Sequence, residues 1–240
     1  MTSKMKLLLF GHGWAGCFAL KYLLSESHEV FVYCNQTDDL SSLSTQCKQL
    51  GVNASFNSKD FTEHKLDFEA VVSMHCRQKI PKKIIEHVGP LSMNLHPSIL
   101  PNYKGCSSLT WALFNGETEV GYTYHEMVEE FDSGNIIYQN KEPIFNFDTQ
   151  ATLYQRILFK SVEAFPIAFN LMCNKRRIQM PKGGMYYKRG APFDGKIDPK
   201  WSDDKIARFI RAMYHPPYKP AEYNGNLITN LNSYFNMRKG

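Results

Sequence analysis

A chain of 240 residues with 43% hydrophobic and 21% charged side chains can bury the core of one large domain, or of a main domain with an appendage. Its net charge of +5 is spread thinly, with no basic block longer than Asn174 to Arg177, which argues against a nucleic-acid surface and leaves room for an anionic small substrate. The six cysteines form no C-x-x-C pair, so no metal site is expected, and no run approaches the ~20 apolar residues that cross a bilayer.

The apolar run that opens at Met5 stops at Phe10, too short for a secretory signal, so a cytoplasmic protein with free thiols is expected. That run reads as a buried strand ended by Gly. A helix follows, with Trp14, Phe18 and Tyr22 at helical spacing. Glu29 to Cys34 is a second strand, and "DDLSSLSTQCKQL" reads as a helix opened by Asp. Glu69 to Met74 is the next strand. "PKKIIEHVG" is a short helix with Pro at its start and Gly after it, and Leu91 to Leu95 is another strand. Strand and helix in alternation predict an α/β fold with a parallel sheet covered by helices.

After Gly105 the pattern changes. Ser107 to Gly116 reads as a helix with a Ser cap and a Gly stop, and "VGYTYHEM" and "NIIYQNKEPI" as strands joined by "VEEFDSG". The longest helical stretch starts at Asp148 as its cap, with Pro166 kinking or breaking it. Beyond about Gln179 the chain is rich in Gly, Pro, Lys and Tyr and reads as loop and hairpin. "SDDKIARFIRAMY" then reads as an amphipathic helix, and "EYNGNLITNLNSYF" has an Asn-Gly turn between β-like runs. The expected division is 1–178 for the main domain and 179–240 for a small C-terminal extension.

Three features carry chemistry. "GHGWAG" (Gly11 to Gly16) fits G-x-G-x-x-G between strand and helix, which serves either as a tight turn or as a phosphate cradle. An NAD enzyme also needs an acid at the tip of the second strand. Here the tip is Cys34-Asn35, with Asp38 and Asp39 later. Asn94 and His96 lie two apart at a strand end, so their side chains point the same way, toward the sheet edge where α/β ligands bind. Asp132 in the turn "EEFDSGNI" is the candidate third member. An amide donates to an oxygen that gains charge, an imidazole donates or shuttles a proton, and a carboxylate fixes the imidazole or accepts a proton. His125 reads as a packed strand histidine.

The block from Asn94 to Ile137 resembles the signature of the 10-formyltetrahydrofolate-dependent formyltransferases: Asn94, His96, Ser98, Leu100, Pro101, Gly105, Gly121, Thr123, His125, Asp132 and Gly134 stand at the family's positions. The resemblance extends from about Met5 to Tyr223 and implies a Rossmann-like, mostly parallel sheet flanked by helices. It implies formyl transfer from N10 of the folate to a primary amine, with Asn94 and His96 stabilising the oxyanion and Asp132 orienting His96 and helping to remove the amine proton. The folate loops correspond to Gln78, Lys79 and Ile80 and to Val128, Glu129, Glu130, Phe131 and Asp132. Cys106 stands where some members carry Arg.

The tail is similar to that of the sugar-nucleotide N-formyltransferases, which act on 3- or 4-amino groups of deoxysugars, typically linked to thymidine diphosphate, for surface polysaccharides such as O-antigen. A dTDP-linked amino-dideoxysugar is therefore the expected partner. Glycinamide ribonucleotide, methionyl-tRNA, a UDP-amino sugar and NAD chemistry are the alternatives. Candidate contacts for a diphosphate and a base are Gly13, Trp14, Arg77, Lys104, Tyr186, Tyr187, Lys188, Arg189 and Tyr223. No metal and no membrane are expected, and a β-rich tail is compatible with a homodimer.

Overall fold

The computed structural model describes residues 3–37, 39, 42–56, 67–76 and 78–239. The chain divides into two compact units. The first comprises Met1–His96, Thr123–Gln139 and Phe159–Pro181, the second Pro97–Tyr122, Asn140–Leu158 and Lys182–Gly240.

Short apolar runs build the first unit. Strand β1 (Lys6–Gly11) is followed by helix α1 (Gly13–Ser25), β2 (Glu29–Tyr33), α2 (Leu43–Leu50), β3 (Ala54–Ser55), β4 (Ala70–Met74), α3 (Lys82–Val88) and β5 (Ser92–His96). β1 from Leu7 onward and all of β4 are buried, as a strand with both faces covered requires. β1 runs parallel to β2 and β4, and β5 parallel to β4. β7 (Glu119–His125) then joins β5 antiparallel, and β8 (Ile136–Pro143) completes the seven-stranded sheet in the order β3-β2-β1-β4-β5-β7-β8. The parallel order reverses between β1 and β4, the switch point at which such sheets open a crevice at the strands' carboxyl ends. Leu8, Phe10, Tyr33, Val71, Ile80, Ile84, Val88 and Met127 form one buried core cluster.

Several local signals resolve differently from the sequence reading. α2 is capped by Ser42, whose hydroxyl accepts from Thr45 N–H, and not by an Asp; Asp38 lies outside the described residues. β5 runs one residue further than expected and includes His96. The long helix, by contrast, breaks as Pro166 implies, into α5 (Gln150–Glu163) and α6 (Phe165–Cys173), with Pro166 in the first turn of the second, where its missing N–H costs nothing.

In the second unit, β6 (Lys104–Gly105) pairs in parallel with β9 (Tyr186–Tyr187), in a stretch that reads as loop and hairpin. α4 (Ser108–Asn115) starts after Ser107, whose hydroxyl bonds Gly190 O at 3.3 Å and does not cap. α4 packs on α7 (Asp203–Met213), itself capped by Ser202. Between them Phe114 meets Phe193, Trp201 and Phe209 at ring-centroid distances of 5.2, 5.2 and 5.5 Å. β10 (Ala221–Tyr223) and β11 (Asn226–Ile228) form the expected hairpin around Asn224-Gly225. The stretch after it, which reads as β-like, is helix α8 (Leu231–Lys239), begun by Asn230, whose Oδ1 accepts from Ser233 N–H at 2.9 Å.

Asp148 is fully buried and does not cap α5; Thr149 Oγ1 accepts from Thr152 N–H instead. Asp148 is gripped by both Arg156 nitrogens at 2.8 and 2.6 Å and accepts Phe145 N–H at 2.7 Å. Burial alone would raise its carboxyl, but Arg156, the Phe145 amide and Thr152 together hold it below the usual carboxylate range. Arg156→Ala would leave that charge buried and unpaired, and is expected to cost about 3–5 kcal/mol in urea denaturation. Because the folded group is the stronger acid, its contribution is full above the ~3.9 of an unfolded aspartate and drains as pH falls below it. The Arg156→Ala profile should lack that acid-side loss.

Candidate active site

Ser92, Asn94 and His96 share one face of β5, and Met93 and Leu95 the other. A polar stripe on a central strand needs partners, and each residue finds one at the end of β7 or in the segment that follows it. Ser92 Oγ accepts Met127 N–H at 3.1 Å. Asn94 Nδ2 lies 3.1 Å from His125 Nε2, its directly opposed residue in the antiparallel ladder. His96 Nδ1 lies 3.5 Å from Asp132 Oδ2. Asp132 Oδ1 is in turn 3.4 Å from His125 Nε2, so one carboxylate stands between two imidazoles. All four groups belong to the first unit, and both histidines are buried.

His125 is a packed strand histidine as its sequence context suggests, and it is also a member of this cluster. Its Nδ1 lies 2.7 Å from Glu126 O, which can only accept, so Nδ1 carries hydrogen. In the neutral ring Nε2 then accepts from Asn94. That bond uses one Asn94 N–H and leaves the other for a second acceptor. The geometry offers an amide and an imidazole to an oxygen gaining charge, and a carboxylate beside them for a proton. The signal that could have found His125 is the register: the residue opposite Asn94 on a neighbouring antiparallel strand shares its face.

The two expected folate loops are exposed at their tips. Val128 and Phe131 are apolar yet 42% and 54% exposed, Lys79 Nζ sits 5.8 Å over the Phe131 ring, and Lys82 bridges to Glu129. Glu130 is exposed and Ile80 is buried in the core. Gln78 Nε2 donates to Asn35 Oδ1 at 2.8 Å. That bond occupies the strand tip where a dinucleotide enzyme would present its ribose-binding acid.

The glycine loop has packing reasons of its own. A Cβ on Gly11 or Gly16 would fall 2.6 or 2.8 Å from Leu43, and Gly13 has φ +54°. His12 N–H is taken by Met74 O, and Trp14 lies against Phe159 with centroids 6.4 Å apart.

Within the second unit, Tyr187 stacks on Trp111 and Tyr103, at 4.6 and 5.6 Å. Neighbouring Tyr186 is 50% exposed and lies over Gly105. Lys104 is half-buried, Lys188 and Arg189 are exposed, and Tyr223 meets Tyr234 edge-on at 5.0 Å. Arg77 lies outside the described residues. Among the described residues no cluster of His, Cys, Asp or Glu could hold a metal, and no helix is long and apolar enough to cross a membrane.

A seven-stranded, mostly parallel sheet with an Asn-x-His strand end facing an Asp turn is the frame of a formyl transferase. The family model described as formyl transferase matches residues 46–169, more than half of the chain, and the chain belongs to that family. Over 171 residues it is 38% identical to a GDP-perosamine N-formyltransferase of Brucella melitensis, covering 70% of this chain and 66% of that protein's length. Its fold is similar to that of an N-formyltransferase from Helicobacter canadensis in complex with folinic acid and dTDP-3-aminofucose. The TM-score is 0.79 at 24% identity, over 94% of this chain and 87% of the other. It is also similar to a 4-N formyltransferase from Francisella tularensis, with TM-score 0.77 at 23% identity, over 93% and 95%.

Proposed function

We propose that the chain is an N-formyltransferase acting on the primary amine of a nucleotide-linked amino-dideoxysugar. The observation that carries this reading is the convergence of Asn94, His96 and Asp132, with His125, at the carboxyl end of β5. 10-Formyltetrahydrofolate, when bound, supplies the formyl group. The exposed apolar side chains of Val128 and Phe131, beside Asp132, fit one edge of a flat heterocycle, and Gln78, Lys79 and Ile80 form the facing loop. Asn94 and His96 donate to the formyl oxygen as the amine attacks, and Asp132 keeps His96 oriented and takes the amine proton; the bond between the formyl carbon and N10 then breaks, and a proton returned to N10 lets tetrahydrofolate leave.

The likenesses support two nucleotides, in order of weight. The Brucella relative at 38% identity is named for a GDP-linked sugar, so GDP-perosamine is the first candidate. A dTDP-linked 4-amino-4,6-dideoxyglucose is the second, supported by the tail's resemblance. For the base, Tyr186 suits a plate better than Tyr187, whose ring is already held by two others. Lys104, Lys188 and Arg189 supply cations for a diphosphate, and the product would serve surface polysaccharide assembly.

The test is incubation with 10-formyltetrahydrofolate and each amino-sugar nucleotide, followed by mass spectrometry. A product heavier by one CO unit is expected with the GDP-linked sugar. Product from the dTDP sugar alone would move the assignment to the second candidate. No product from either, with turnover of glycinamide ribonucleotide or methionyl-tRNA, would reject the sugar reading.

A further inference from the structure

Asp132 has φ +53°, a left-handed conformation uncommon outside glycine, though Asp adopts it more readily than most residues. The restraint is at the base of the segment that carries it. Glu126 N–H donates to Asn135 O at 2.8 Å, and Asn135 Nδ2 donates back to Glu126 Oε2 at 2.8 Å. Gly134 passes so close that a Cβ there would lie 2.1 Å from Glu126 O. That same carbonyl oxygen takes His125 Nδ1–H. The second carboxylate oxygen, Oε1, accepts from Arg177 Nε, while Arg177 Nη2 donates to Pro90 O, just ahead of β5. Glu126 and Arg177 side chains are each only 12% exposed, so their pairing is shielded from solvent.

Glu126 therefore touches three things at once: the His125 ring through its carbonyl, the closure of the Asp132 segment through its amide and Oε2, and the entry to β5 through Arg177. We propose that Glu126, anchored by Arg177, is a positioning residue that sets where Asp132 stands relative to His96 and which His125 nitrogen faces Asn94. Neither side chain meets the cluster directly; both act through the backbone that carries it. The kinetic part of this rests on the formyltransferase reading, and the spectroscopic part does not.

The experiment compares Arg177→Ala, Arg177→Lys and Glu126→Gln with the unsubstituted chain. Nitrogen-15 NMR of the histidine rings reports the tautomer and environment of His125 and His96 without any substrate. In Arg177→Ala the fixed tautomer pattern of His125 should be lost, and kcat should fall on the order of 10–10²-fold with KM nearly unchanged, as a displaced reacting group requires. Added guanidinium should restore both, and Arg177→Lys should retain part of each. A folded Arg177→Ala protein with unaltered ring signals overturns the proposal, even if its melting temperature has dropped, because a purely structural brace predicts that result. Should Arg177→Ala not fold, Glu126→Gln keeps the side-chain volume and is read in the same way: altered ring signals support the proposal and unaltered ones overturn it. If the unsubstituted chain formylates no sugar nucleotide, the ring signals still decide the positioning claim.

Discussion

Asn94→Ala is expected to lower turnover by about 10²–10³-fold, the usual loss for one donor to an oxyanion in a shielded site. The reason lies in how the amide is held. Its Nδ2 is 3.1 Å from His125 Nε2, on a strand whose register with β7 fixes both residues on one face. One N–H is spent on that contact, which stops the amide from rotating. The other is then pre-aimed, so no reorganisation is needed when an oxygen beside it gains charge. Alanine removes the donor and leaves His125 Nε2 with Asp132 at 3.4 Å as its remaining polar neighbour in this cluster. The stability cost should be only about 1 kcal/mol, the net worth of one hydrogen bond. Asn94→Asp should be at least as damaging, because it sets a second carboxylate near Asp132 and offers no N–H. Single-turnover kinetics separates these effects from binding. An Asn94→Ala enzyme with more than a tenth of normal turnover would show that the oxygen is stabilised elsewhere.

How much of this is legible in the sequence depends on the range of the interaction. β1 from Leu7 and β4 are almost wholly apolar, with only Ser73 polar, because both of their faces are covered, so composition reveals them. Asn94 and His96 can be paired on one face because the strand period is two, a local rule. The helix starts are less secure. Asp148 has the right residue type and position for a cap, yet Arg156 two turns on claims its carboxylate, and Thr149 caps instead. Ser107 likewise spends its hydroxyl on Gly190 O, a residue far along the chain.

The glycine loop shows a different limit. Close packing against Leu43 and close approach to a phosphate both call for Gly, so the motif does not separate them. His125 is easily undervalued because a buried strand histidine looks the same in sequence whether it only packs or also faces an amide and a carboxylate. Glu126 and Arg177, 51 residues apart, have no local signature at all. Their pairing exists only once β7 and the segment after α6 are both in place.

Asp132→Asn is the second large effect expected, a loss of about 10²–10⁴-fold in turnover, the range for removing a positioned proton acceptor. The substitution is nearly isosteric. An amide can still sit between the two imidazoles, now 3.5 and 3.4 Å from Asp132 oxygens, so the fold and the φ of +53° should survive. On the proposed roles, what would disappear is the negative charge that orients His96 and accepts the proton released when the primary amine attacks. These two roles make different predictions when paired with His96→Ala. If Asp132 acts only through His96, the double variant should be no slower than the poorer single one, because both changes break the same device. If Asp132 also takes the amine proton itself, the losses should partly add, and the acid-side fall of the pH–rate profile should vanish in Asp132→Asn while persisting in His96→Ala. The carboxylate stands almost equally near both imidazoles, which favours the second outcome: a group that served only to hold His96 would have no need to stand as near His125. An Asp132→Asn enzyme with undiminished turnover would remove the carboxylate from the chemistry and leave the amide and imidazole as the working pair.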